Sequence, residues 1–157
     1  MKKGLKKNKK GFTLVEIIVV LLIIGILLAI LIPSIYGYVE KAKDAQIEAE
    51  ARSGFVAAQT ITAREAAAGQ TPTVTADKIA EELGETIGAT STIQKAGCTF
   101  TSDNKNVVKC AFNTKGSEKY VVFDTANSAE PTTITTSAPG GITMTNITTT
   151  PPKEETE

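Results

Sequence analysis

Glu16 is the residue whose chemistry the rest of the chain must answer for. It lies five residues after Gly11, and the apolar run that follows it, residues 17–32, holds no other ionisable side chain. A charged residue at the centre of a membrane-spanning helix costs roughly 2.5–3.5 kcal/mol on insertion scales, less near one end, and an unpaired intramembrane carboxylate marks a functional site by default. Glu16 therefore calls for a cation. No Lys or Arg occurs between Gly11 and Lys41, so a partner within the run has to be created by processing or supplied by another chain. The second pair of reactive groups is Cys98 and Cys110, the only cysteines in a chain with no His. Without His, a His-based nucleophilic triad is impossible and a zinc site lacks its commonest ligands. Two cysteines beyond a spanning segment suggest a disulfide in an oxidising compartment, with two free thiols as the alternative. Their spacing is not Cys-x-x-Cys, which argues against catalytic redox work. No pair among the Glu, Asp, Lys and Ser residues has the spacing of a recognisable catalytic constellation, so an enzyme is the least favoured class and no cofactor is called for.

The stretch Gly11-Phe12-Thr13-Leu14-Val15-Glu16 resembles the type IV pilin and pseudopilin family: a short basic leader ending in Gly, then Phe-Thr-Leu-x-Glu opening a long apolar helix. The resemblance covers about the first third of the chain. It implies that a membrane-embedded prepilin peptidase cuts between Gly11 and Phe12 and methylates the new amine of Phe12. It implies also that Glu16 meets that amine on a neighbouring subunit during assembly. Gly25 and Pro33 match helix-weakening positions of the family, and the segment between them is expected to loosen when subunits enter a filament.

The elements that position these groups follow from the pattern. Six of the chain's lysines, Lys2, Lys3, Lys6, Lys7, Lys9 and Lys10, precede the expected cut. Their removal leaves 11 basic side chains against 17 acidic ones, a formal −6, which disfavours nucleic-acid binding by the exported part. The lysines are better explained by topology, holding residues 1–11 in the cytoplasm and placing everything after about Pro33 outside. Residues 12–32 would rise about 31 Å as a helix, the thickness of a roughly 30 Å hydrocarbon core. With Ile, Val and Leu around nearly the whole circumference, this helix needs lipid or copies of itself around it. Pro33 is expected to kink or open the helix, or to mark the membrane exit.

Residues 34–69 keep a helical period, with Ile47, Ala51, Gly54, Phe55, Ala58, Ile61 and Thr62 on one stripe able to cover a small sheet. Gly69 and Pro72 end it. Thr75 is placed to cap a short helix over residues 76–83. Residues 98–101 and 107–112 flank the turn cluster Ser102-Asp103-Asn104-Lys105-Asn106 and read as a hairpin, which residues 120–123 extend to a three-stranded meander. A bridge between Cys98 and Cys110 would close that hairpin. The Thr-rich stretches 132–136 and 142–148 suggest an edge hairpin or loosely ordered chain, and Asn146-Ile147-Thr148 is a glycosylation-type triplet. Residues 151–157 read as a disordered acidic tail.

The expected organisation is α+β: a leader (1–11), a transmembrane and assembly helix (12–33), an amphipathic continuation (34–69) and a head (70–150) built on a small antiparallel sheet. As implied by the resemblance, the function is that of a structural subunit of an extracellular type IV pilus. The partners implied are other copies of the chain, the prepilin peptidase, the membrane and the pilus assembly machinery. A pseudopilin of a type II secretion or DNA-uptake machine is the runner-up. A membrane-anchored binding module that never polymerises is a third reading.

Overall fold

The computed structural model describes residues 11–88 and 90–148; most of the leader and the expected tail lie outside these residues. The chain divides into two units, Met1–Ala42 and Lys43–Glu157. Helix α1, Leu14–Ala67, contributes to both. It starts where Thr13 stops the extended chain: the Glu16 N–H donates to Thr13 Oγ1 at 3.3 Å, which satisfies one of the donors that every helix start leaves without an internal partner. The helical run is unbroken through Gly25 and Pro33, so neither residue opens it in this structure. Every described residue of the first unit is exposed.

The second unit is an α+β fold. Residues of α1 from Ile47 onward pack on one face of an antiparallel sheet, burying Ile47, Ala51, Gly54, Ala57, Ala58, Ile61 and Thr62. This is the stripe that the helical period predicts, except that Ala57 joins it and Phe55 stays half-buried. Gly54 is where helix and sheet come closest. A Cβ there would lie 3.2 Å from the Ile93 side chain and 3.3 Å from that of Phe112, both fully buried.

Helix α2, Ala76–Glu82, is capped by Thr75 as expected, its hydroxyl accepting from the Lys78 N–H. The strands are β1 Ile93–Phe100, β2 Val107–Thr114, β3 Tyr120–Asp124, β4 Thr132–Thr135 and β5 Thr145–Asn146, in the spatial order β4-β3-β2-β1-β5. The first three form the meander read from the sequence. β1 starts five residues earlier than expected because Ile93 anchors its beginning under α1. The expected edge hairpin of the two Thr-rich stretches is not formed. β4 pairs with β3 and β5 with β1, so the two stretches occupy opposite edges of one five-stranded sheet.

Strand alternation sorts the sheet into two faces. Ala96, Cys98, Phe100, Cys110, Phe112, Val121, Phe123 and Ile134 point into the core shared with α1 and α2. Phe123 stacks on Phe55 with ring centres 5.0 Å apart, and Arg52 lies over its ring. The opposite face carries Lys95, Gly97, Lys109, Ala111, Tyr120 and Val122. The C-terminal end of the described chain is tied down by Ile147, whose N–H donates to Gln94 O at 2.8 Å, and by Thr148, whose N–H and hydroxyl both donate to the Asp77 carboxylate.

Candidate functional site

The site read from the sequence is a run of consecutive residues, and local chemistry shapes it. Gly11, Phe12 and Thr13 precede the helix; Glu16 lies in its first turn. Thr13 and Glu16 have the spacing of a capping box, a hydroxyl residue followed three positions later by Glu. The signal was present in the sequence as Thr-x-x-Glu, and the role of Thr13 as the cap was not read from it. Only the Thr13 half of the box is made. The Glu16 carboxylate has no hydrogen-bond or ion-pair partner among the described residues and projects from the exposed helix surface. Its position in the first turn is favourable toward the helix dipole, worth about 0.3–1 kcal/mol at an exposed site. Its neutralising cation is not found within the described chain.

Around Glu16 the surface is apolar on all sides. Phe12 and Leu14 are each 78% exposed, and the large side chains from Ile17 to Ile32 are all exposed as well. An 18-residue window of α1 has a mean hydropathy of 3.4, and by length and composition the helix can cross a membrane. A bare surface of this extent marks a membrane or association site.

The head contributes structural chemistry. Cys98 and Cys110 are directly opposed in the β1/β2 register and joined as a disulfide, with Cα atoms 4.1 Å apart. Of the two cysteine states left open by the sequence, the structure has the bridge. Glu48 and Arg52 pair at 3.1 Å on the exposed face of α1, as their spacing predicts. Near its end, Glu65 accepts from Lys78 Nζ at 2.5 Å and from the Thr73 N–H at 2.8 Å. The Lys78 hydrogen bond, opposed by partial burial and aided by Thr73 and Arg64, holds the Glu65 carboxyl below its ordinary value of 4.5. Asp124 is likewise lowered, first by Lys109 beside it at 3.2 Å. A cleft of about 390 Å³ between α1 and α2 is lined by Ile61, Arg64, Glu65, Lys78, Glu81 and Glu82. Its charges are largely spent on each other, Arg64 on Glu82 and Lys78 on Glu65. Among the described residues no cluster of three or more His, Cys, Asp or Glu could hold a metal ion.

Residues 6–32 match the family described as prokaryotic N-terminal methylation motif, and this match takes in Gly11, Phe12, Glu16 and Gly25. Two curated proteins of Moraxella bovis are similar over a longer stretch. Fimbrial protein Q is 37% identical over 84 residues, covering 54% of this chain and 50% of that protein. Type IV major alpha-pilin is 34% identical over 86 residues, covering 54% and 52%. The chain is thus similar to type IV pilins over about half of its length, and its N-terminus carries the methylation motif. It spans about half the length of the curated pilins it matches, and no solved structure matches it. The α+β arrangement, a long N-terminal helix with its later part packed on a small antiparallel sheet, is pilin-like. The matched methylation motif takes in the start of α1 and most of its bare apolar surface. The five-stranded head with its hairpin disulfide is known from this structure.

Proposed function

We propose that this chain is a type IV pilin, a structural subunit of an extracellular helical filament. The observation that carries the proposal is an ionisable residue, Glu16, without a partner among the described residues on an otherwise apolar exposed helix, inside a matched N-terminal methylation motif. In this reading the lysine-rich leader stays in the cytoplasm and α1 stores the subunit in the bilayer with the head outside. A prepilin peptidase cuts after Gly11 and the amine of Phe12 becomes a cation. Within a low-dielectric bundle of helices, that cation and Glu16 of an adjacent subunit attract strongly, and an axial mismatch leaves both charges unpaired. Pairing therefore selects one stagger, and one repeated head-to-tail contact gives an open helix. Gly25 and Pro33 mark where α1 would yield as it enters this bundle. The proposed role is assembly rather than catalysis. The curated relatives are named as fimbrial and pilin proteins, which supports a pilus over the secretion or DNA-uptake pseudopilus.

The test is Glu16→Ala in the native host. Processing of the leader should be largely unchanged while the variant is missing from filaments sheared off the cell surface. Normal filaments built of Glu16→Ala subunits would overturn the role given to Glu16.

A further inference from the structure

Ala111 and Val122 are buried, at 0% and 4% exposure, yet neither belongs to the core between α1 and the sheet. Their neighbours Cys110, Phe112, Val121 and Phe123 take the core side, so alternation puts Ala111 and Val122 on the opposite face. In the register Gly97 pairs with Ala111, Ala111 with Val122, and Val122 with Thr133. These four form one row running straight across β1, β2, β3 and β4. A polar row flanks it on each side. On one side Lys95, Asn113 and Tyr120 are in register, and Lys95 Nζ reaches across to Tyr120 Oη at 3.5 Å. On the other, Lys109 pairs with Asp124 at 3.2 Å. The outer face thus has an apolar trough between two polar walls.

The connection from β4 to β5 meets this face at Gly97. These strands lie at opposite edges, so the intervening chain must cross the sheet, about 19 Å at about 4.8 Å per strand step. Residues 136–144 are long enough, at up to about 30 Å extended. α1 occupies the core face, and on the other side a Cβ at Gly97 would lie 2.3 Å from the Thr143 carbonyl oxygen and 2.8 Å from Ile142 Cγ2. The crossing chain therefore seats directly on Gly97, where no side chain fits. Among the described residues, nothing in 138–144 makes a hydrogen bond. Both ends are held: Thr135 Oγ1 donates to Ser137 O at 2.6 Å, and Thr145 Oγ1 donates to Ala96 O at 2.9 Å.

We propose that residues 138–144 form a detachable strap, which lifts off as a unit while β1 to β4 stay paired and so exposes the apolar row of Gly97, Ala111 and Val122. Lifting breaks no backbone ladder and no hydrogen bond. It costs the packing at the trough alone, which places the strap among the least stable segments of the head. Closed, the head presents the crossing Ala138-Pro139-Gly140-Gly141-Ile142-Thr143-Met144; open, it presents a second apolar face.

Adjacent residues of β3 test this. Val121 faces the core and Val122 the trough, so Val121→Cys and Val122→Cys can be compared in the full chain in detergent by the rate of thiol labelling under native conditions. The expected result is labelling of Val122→Cys at least ~100-fold faster than Val121→Cys, because strap opening needs far less free energy than global unfolding. Equal rates would overturn the proposal. Adding Gly97→Ala, whose Cβ must push the strap away, should speed Val122→Cys labelling about tenfold further and leave Val121→Cys within about twofold; no change at Val122→Cys would sink the role of the trough. Should Val122→Cys lose its fold, methyl relaxation dispersion on the unsubstituted chain reads the same event. Microsecond-to-millisecond exchange at the Val122 methyls, absent at Val121, is expected, and identical behaviour of the two would contradict it.

Discussion

Glu16 acts through charge in this account, not through its size or its hydrogen-bonding capacity. Glu16→Gln preserves volume and one acceptor oxygen but cannot neutralise the cation at Phe12. It is expected to block incorporation into sheared filaments as completely as Glu16→Ala; filaments of normal yield from the Gln variant would show that the carboxylate charge is dispensable. Thr13 plays a different part, since its hydroxyl holds only the first turn of α1. These residues were legible because their signal is local. A glycine, a hydroxyl and a carboxylate at fixed spacing before an apolar run need no tertiary information to be recognised. Only the Thr13 cap went unread, although Thr-x-x-Glu spells it out.

Among the elements, the clip between β1 and β2 and the ion pairs at the end of α1 carry separate predictions. Replacing Cys98 and Cys110 together by Ser should lower the head's unfolding free energy by about 3 kcal/mol, the order expected for a bridge closing a short loop. Denaturant unfolding of the detergent-solubilised chain would measure it, and an unchanged midpoint would contradict it. Glu65 predicts an acid sensitivity. Its folded pKa is depressed, chiefly by Lys78, so its contribution to stability is complete above a pH of about 4.5 and is lost as pH falls below that through the folded value. Lys78→Met should accordingly show a smaller drop in melting temperature than the parent chain on acidification from about pH 6 to 3; equal drops would count against this pair. The two helices and the Cys hairpin were legible from period, caps and turn residues. The first half of β1 was not. Its residues Ile93 to Gly97 show no clean alternation, and their strand state is fixed by α1 packing on Ile93 at Gly54 and by β5 and β2 on either side.

For the whole molecule, the α+β class followed from an apolar helix, an amphipathic continuation and then β-type runs. The sheet order did not. Residues 132–136 and 142–148 have nearly the same Thr-rich composition, and nothing in either states that one belongs beside β3 and the other beside β1. The crossing depends on Gly97, more than thirty positions before either stretch, where a Cβ would lie 2.3 Å from the Thr143 carbonyl oxygen. The central claim reaches beyond the fold: the chain enters a filament only after its leader is cut and a new cation is made beside Glu16. The most direct measurement is the N-terminal residue and its mass in extracellular material sheared from the native host. The account predicts a chain beginning at N-methylated Phe12, with residues 1–11 gone. A chain in that material still beginning at Met1, or cut elsewhere than after Gly11, would contradict it.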